Sequence, residues 1–145
     1  MAAPVCVDAS FLLAMLLNEE FGPPALHLLG KWLKQERELV APPLFHAEVT
    51  SIIRERSFRG EMSDEDAAEA VARSLLAPVD TWRGTDALQP RAFELAVRFN
   101  QPKAYDAQYL ALADLLGCEL WTADRRLANS VAAHLPWVHY VGEAA

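Results

Sequence analysis

AYDAQYLALADLLGCELWTAD, residues 104–124, decides the fold. Ala104 to Leu116 is strongly helical in pattern, and Gly117 supplies the C-terminal stop. CELWTAD, residues 118–124, then reads as a β-strand that ends in an acid. A helix that halts at a glycine and passes at once into an apolar strand is one step of an alternating α/β domain. The next stretch, Arg125 to His134, reads as a short helix, so Asp124 stands at a strand-to-helix junction.

The chain start has the same junction. PVCVD (4–8) is a short buried strand ending in Asp8, and Ser10 to Asn18 then carries Phe11, Leu12, Met15 and Leu16 at helical spacing. Phe21-Gly22-Pro23-Pro24 breaks that helix, and Pro24 suits the start of a second, Ala25 to Glu36, with Leu26, Leu29 and Leu33 on one side. Glu38 to Ala41 is a strand candidate. Pro42-Pro43 opens a helix running to about Phe58, with Gly60 as its stop. Ser63 caps a further helix to about Leu76, with Asp66 at N3 and anions in its first turn. Pro78-Val79-Asp80 is a weak strand or turn, TWRGTD (81–86) stays unassigned, residues 88–100 form a helix with Pro90 near its start, and Trp137 to Val141 is the last strand. Strands alternating with helices, joined by right-handed crossovers, predict a three-layer α/β/α sandwich around a central, mainly parallel sheet. The expected organisation is one domain, residues 1–145.

Composition narrows the class. Half the chain is hydrophobic, yet no apolar run approaches the ~18 residues of a membrane span. Met1 to Ala3 carry no side-chain cation and Asp8 interrupts the first apolar stretch, so the start does not resemble a signal peptide. The expectation is a soluble, cytoplasmic protein that does not enter a membrane. Cys6 and Cys118 lack metal-type spacing and read as buried thiols. The net charge is −7, from 20 acidic and 13 basic side chains. Proteins that grip nucleic acid by raw electrostatics are usually basic. If this chain acts on nucleic acid, bound cations or a local basic patch must offset its field.

Four acids stand out. In open parallel sheets ligands bind beyond the carboxyl ends of the strands, and Asp8 and Asp124 occupy such ends. Glu48, in LFHAEVTSII, and Asp106, in KAYDAQYLALADLLG, sit beside apolar helical stripes, the second using Tyr105, Tyr109, Leu112 and Leu116 as its inner face. A carboxylate so placed is costly unless paired, protonated or metal-bound. Together the four suit a hard divalent cation, which relieves their mutual repulsion. Taken singly, each has a plainer account. Asp8 and Asp124 are possible helix caps, Asp106 a first-turn anion, and Glu48 a surface carboxylate at the edge of its stripe. Asp8 can also combine roles, facing a metal while Ser10 takes the helix start.

The ordered set VDAS, AEVTSIIRE and AYDAQYLALADLLGCELWTAD resembles a PIN-domain ribonuclease, and specifically the VapC-type toxins of toxin–antitoxin pairs. The resemblance spans Val5 to about Val141. It implies that Asp8, Glu48, Asp106 and Asp124 form the acidic catalytic and metal-binding quartet, with Ser10 and Thr122 as supporting hydroxyls. It further implies Mg²⁺ or Mn²⁺ as cofactor, single-stranded RNA as substrate, a cognate antitoxin protein as partner, and a homodimer. One departure is Arg125, which stands where some relatives carry a further acid or amide; Asn129 lies farther along.

Arg125, Arg126, Arg54 and Lys103 are the candidates for RNA phosphate contacts, against a solvated face in which Arg54, Arg56 and Arg59 pair with Glu55 or Glu61. The four histidines are scattered and read as structural, and the four tryptophans as core or dimer packing. The leading reading is a metal-dependent endoribonuclease, the toxin of a type II toxin–antitoxin pair. The alternative is a catalytically weak or inactive PIN-like module that binds RNA or protein. A receiver-like phosphoacceptor ranks last, because VDAS offers one acid and no lysine follows Lys103.

Overall fold

Short apolar strands separated by helical segments must bury both faces of each strand, which parallel pairing under two layers of helices achieves. The computed structural model describes residues 2–82 and 85–143, so part of the unassigned TWRGTD stretch lies outside it. Its elements run β1 (Val5–Val7), α1 (Ala9–Leu16), α2 (Gly22–Lys34), β2 (Leu39–Ala41), α3 (Phe45–Phe58), α4 (Asp64–Ser74), β3 (Val79–Thr81), α5 (Leu88–Arg98), α6 (Tyr105–Leu116), β4 (Glu119–Thr122), α7 (Arg125–Val131) and β5 (Val138–Tyr140). The five strands form one sheet in the order β3-β2-β1-β4-β5, and every pairing is parallel. Helices α1 to α4 pack together as one group, and α5 packs on α6 as another. The expected three-layer α/β/α sandwich with a mainly parallel sheet is what forms.

β1 is the central strand, with Val5, Cys6 and Val7 all fully buried. Val5 pairs with Leu39 of β2 and Glu119 of β4, which places the ends of β1 and β4 side by side. β3 is real but lies at the edge, and only Val79 of its three residues is buried. An edge strand has one neighbour to pack with and needs little apolar sequence, which explains its weak pattern.

Helix boundaries shift for local reasons. α1 stops at Leu16, short of Asn18, because Asn18 takes the left-handed conformation (φ 53°) that asparagine tolerates. α2 begins at Gly22 rather than Ala25, since prolines fit a first turn whose N–H groups have no partner anyway. Gly22 also allows a close approach: a Cβ there would lie 2.7 Å from the Ala14 carbonyl oxygen of α1. The buried face of α2 is Ala25, Leu28 and Trp32, while Leu26 and Leu33 point outward. Trp32 stacks on Phe11 at 5.4 Å and meets Trp121 at 5.8 Å, and the large ring takes the burial that the leucines forgo. α5 ends at Arg98 rather than residue 100, with Asn100 left-handed (φ 52°). α7 ends at Val131 rather than His134. Ser63 caps α4 as expected, accepting the Asp66 N–H at 3.0 Å. Gly117 caps α6 with φ 64°. Both cysteines are buried free thiols.

α6 is the most enclosed helix, with every residue from Ala107 to Ala113 buried. Its inner face differs from expectation at one end. Tyr109 and Leu112 are fully buried, but Tyr105 is 60% exposed. Tyr105 is the first residue of the helix and precedes its buried stretch, which begins at Ala107.

Candidate active site

From β1 the sheet grows outward in two directions, to β2 and β3 on one side and to β4 and β5 on the other. Such a reversal of strand order opens a crevice at the carboxyl ends of the two central strands. Asp8 directly follows β1, and Asp124 lies two residues beyond β4. Glu48 and Asp106 occupy the first turns of α3 and α6. Helix starts place backbone N–H groups and a positive dipole end near anions, so all four positions tolerate carboxylates locally.

Asp8 is tied down from three sides. Its Oδ1 accepts the Ser10 hydroxyl at 2.6 Å and the Phe11 backbone N–H at 3.0 Å, and its Oδ2 accepts the Thr122 hydroxyl. Ser10 Oγ in turn accepts the Ala123 N–H at 2.9 Å, and Thr122 Oγ1 accepts the Asp124 N–H at 3.0 Å. Each hydroxyl owns one proton and spends it on Asp8. The 3.2 Å approach of Ser10 Oγ to Thr122 Oγ1 is therefore a contact between two used donors. This network fastens the β1–α1 turn to the β4–α7 turn. The division of labour differs from expectation: Asp8, not Ser10, caps α1. Asp8 has the extended backbone of an N-cap (φ −101°, ψ 177°), whereas Ser10 is already inside the helix. The supporting roles expected of Ser10 and Thr122 acquire their geometry here.

Asp124 caps α7, its Oδ1 accepting the N–H groups of Arg126 at 2.9 Å and Leu127 at 3.3 Å. Glu48 is half-buried, and its Oε1 accepts the Tyr109 hydroxyl at 2.8 Å. Asp106 is half-buried to a similar degree.

The electrostatics link the acids in a row. Burial pushes Asp8 from 3.8 up to about 7, although its hydrogen bonds from Ser10, Thr122 and Phe11 pull down, and the charge of Glu48 adds to the rise. Burial also raises Glu48; the Tyr109 hydrogen bond opposes this and the charge of Asp106 adds to it. Asp106 is raised by burial and then by Asp124, with Arg126 opposing. Each acid thus feels the next, in the order Asp8, Glu48, Asp106, Asp124. Burial and the neighbouring Glu48 keep the Tyr109 hydroxyl protonated, so it stays a donor. Among the described residues, no three His, Cys, Asp or Glu side chains are close enough to enclose an ion as they stand. The quartet is an open row and not a closed cage.

A cavity of about 460 Å³ opens on the middle two acids of this row, with Glu48, Asp106, Lys103, Gln101, Tyr105 and Arg126 in its wall and Asp8 and Asp124 outside it. The structure therefore brings Arg126 and Lys103 to the acids. Arg125 turns away, its guanidinium 5.7 Å from the Tyr140 ring. Arg54 also lies off the cavity wall. It bonds Ser57 at 3.0 Å, meets Asp64 at 3.5 Å and covers the Phe58 ring. Arg56 pairs with Glu19. The partners of this cluster are therefore Asp64 and Glu19, not the expected Glu55 and Glu61. Sequence reasoning missed the role of Tyr109 as the donor that fixes Glu48. It also missed Gln101, whose buried Oε1 has no hydrogen-bond partner among the described residues. The available signal was the NQPK turn just ahead of Tyr105-Asp106.

Comparison with known proteins agrees with this geometry. The chain matches the family profile described as PIN domain over residues 5–132. It is 31% identical to the VapC ribonuclease Mb0985 of Mycobacterium bovis, across 91% of this chain and 94% of that protein. Among solved structures it is similar to PAE2754 from Pyrobaculum aerophilum, with a TM-score of 0.68 and 22% identity over 99% of this chain and 93% of that one. It is also similar to Mycobacterium tuberculosis VapC20, a sarcin-ricin loop cleaving toxin, with a TM-score of 0.63 and 20% identity over 88% of this chain and 95% of that one. With the profile spanning most of its length and a relative 31% identical across 91% of it, the chain belongs to the PIN domain family.

Proposed function

We propose that this protein is a metal-dependent endoribonuclease that hydrolyses single-stranded RNA, acts as the toxin of a toxin–antitoxin pair, and is restrained by a cognate antitoxin protein. The observation that carries the reading is the row of carboxylates Asp8, Glu48, Asp106 and Asp124 at the β1/β4 crevice, with Arg126 and Lys103 in the cavity wall beside Glu48 and Asp106. The identity to a VapC ribonuclease supports the choice of RNA. The donor set fits a hard cation: four carboxylates supply only oxygen, and burial, with a smaller push from a neighbouring carboxylate, raises three of them above their ordinary pKa. An open row suits Mg²⁺, which is usually bound through one or two carboxylates while keeping several waters. Oxygen ligands accommodate Mn²⁺ equally. When bound, the ion supplies positive charge that offsets the carboxylates and the charge developing on the phosphate.

The chain's own residues then divide the work. Asp106, raised and only partly covered, is placed to take a proton from the attacking water. The water oxygen bonds to phosphorus, the bond to the departing sugar oxygen breaks, that oxygen takes a proton from solvent water, and Asp106 returns the proton it accepted to solvent. Asp8 and Glu48 would hold the ion, and their carboxylates are oriented by Thr122, Ser10 and Tyr109. Arg126 and Lys103 hold phosphate oxygens.

The test is incubation with single-stranded RNA in Mg²⁺ or Mn²⁺, beside Asp8→Asn and Asp106→Asn. Cleavage that disappears in both variants while their melting curves stay cooperative is the expected result. Cleavage that is absent, or equal in all three proteins, overturns the reading. The second reading, a module that binds without cutting, draws on Arg125, which follows Asp124 but packs on Tyr140. Calorimetry that finds no binding of either ion at millimolar concentration favours it. A homodimer belongs to the proposal through exposed apolar side chains such as Phe93 and Val97 on α5, and light scattering tests it.

A further inference from the structure

Two tyrosines lie one turn apart on α6 and have opposite surroundings. Tyr109 is fully buried and holds Glu48, while Tyr105 is 60% exposed beside Asp106. An aromatic ring left in water at the edge of an acidic crevice contributes nothing to the core. Its position is also unusual in another respect. The 460 Å³ cavity at the acids and a second cavity of about 500 Å³ share three wall residues: Tyr105, Lys103 and Glu48. Tyr105 and Lys103 thus form a ridge between two hollows, and Glu48 lies at the floor common to both.

Both hollows mix apolar and charged walls. Arg126 and Asp106 line the first, so it suits a sugar-phosphate segment at the reacting centre. Leu44, Ala47 and Ile52 line the second together with Ser51 and Glu55, so it offers apolar surface to the face of a base beside groups that can meet the base's polar edge. Both volumes fall within the roughly 300–1,000 Å³ of small-ligand sites. A single strand that crosses the ridge passes its phosphate by an ammonium and its base by an aromatic ring. That pairing of a cation with a ring is how proteins hold unpaired nucleotides without reading their sequence.

We propose that Tyr105 is the stacking platform for an unpaired base adjacent to the cleaved phosphate, and that Lys103 holds that nucleotide's phosphate. The proposal rests on the ribonuclease reading above and adds the residue that positions the strand. It also accounts for a preference for single strands, because a paired base cannot lie flat on the ring. Tyr105 acts by positioning and takes no part in the chemistry.

The experiment uses short single-stranded RNA carrying one 2-aminopurine, moved through successive positions. Binding is followed in Ca²⁺ by fluorescence quenching, and cleavage is followed separately in Mn²⁺. The expected result is quenching at one position with the wild type and with Tyr105→Phe, and its loss with Tyr105→Ala. KM for cleavage rises roughly 10-fold or more in Tyr105→Ala, the scale of one lost base stack on an aromatic ring, with kcat little changed. Lys103→Ala lowers the salt dependence of binding by about one counterion. Quenching that persists in Tyr105→Ala, or an equal KM rise in Tyr105→Phe, overturns the proposal. The two readings fail separately: RNA that is cut without any quench refutes stacking, and RNA that quenches but is never cut refutes the nuclease. Tyr105 is surface-exposed, so unchanged melting temperatures for its variants provide the folding control.

Discussion

Raising the pH in the absence of divalent metal should weaken this fold, and Asp8 is the main cause. Its carboxyl stands at about 7 in the folded chain against an ordinary 3.8. A carboxyl raised by folding gives the folded state an extra proton between those values. Stability is therefore greatest below the lower value, falls as the pH rises through the window, and is flat above it. A displacement from 3.8 to about 7 corresponds to roughly 4 kcal/mol, at about 1.4 kcal/mol per pH unit. Asp8 is buried, so solvent screening does not reduce this figure much. Glu48 and Asp106 are raised too and push the same way. Glu119 moves oppositely: burial would raise it, but hydrogen bonds from Arg37 and Trp121 hold it below its usual value, and its effect is confined to more acid pH. In EDTA, melting of the wild type should drop by roughly 5–11 °C between pH 5 and pH 8, because the part of the window above pH 5 carries about 2.7 kcal/mol and a chain of this size loses about 2–4 °C per kcal/mol. Asp8→Asn has no charge to bury and should lose most of that slope. At pH 8 it should melt above the wild type, as expected where a functional group is kept against the interest of stability. Millimolar Mg²⁺ or Mn²⁺ should then raise the wild type toward the variant, because the ion binds the folded state alone. Differential scanning calorimetry at both pH values, with and without metal, measures all of this. Equal wild-type melting at pH 5 and pH 8, or an unchanged slope in Asp8→Asn, refutes the electrostatic account of the site.

Three further outcomes follow from named contacts. Tyr109→Phe removes the 2.8 Å hydrogen bond that lowers Glu48, so the acidic limb of the pH–rate profile for RNA cleavage should move to higher pH; chemical denaturation should show a loss of about 0.5–1.5 kcal/mol. Arg126→Ala should weaken RNA binding and flatten its salt dependence, whereas Arg54→Ala, which removes an exposed pair with Asp64 at 3.5 Å, should change neither binding nor stability by more than about 0.5 kcal/mol. Gly117→Ala meets no neighbour at its new Cβ but keeps φ 64°, so calorimetry should record roughly 1–2 kcal/mol of backbone strain and no change in cleavage.

The readable parts of this chain are those whose physics is local. The helix–glycine–strand step at 104–124 and the serine cap at Ser63 follow from neighbours in sequence, and both form as expected. The parallel sheet follows from strands that alternate with helices along the chain. Local rules also bring Asp8 and Asp124 to strand ends, and the β1/β4 pairing makes those ends neighbours.

What local rules miss is supplied from far along the chain. Thr122 reaches Asp8 across 114 residues, and Tyr109 reaches Glu48 across 61. Helical periodicity put Tyr105 and Tyr109 on one face correctly, but periodicity carries no record of where along a helix burial begins. The same limit separates Arg126 from Arg54. Both are arginines near an acid in sequence, yet Arg126 sits at the start of α7 on the crevice, and Arg54 lies farther along α3, off the cavity wall. Distance from the carboxyl edge of the sheet, and not charge or spacing, decides which cation can meet a phosphate. The same coordinate explains why the choice between cap and ligand was never a real alternative for Asp8. At the end of a central strand one oxygen can hold the next helix's N–H while the carboxylate still borders the crevice, so the residue that starts the fold's first helix also starts its row of acids.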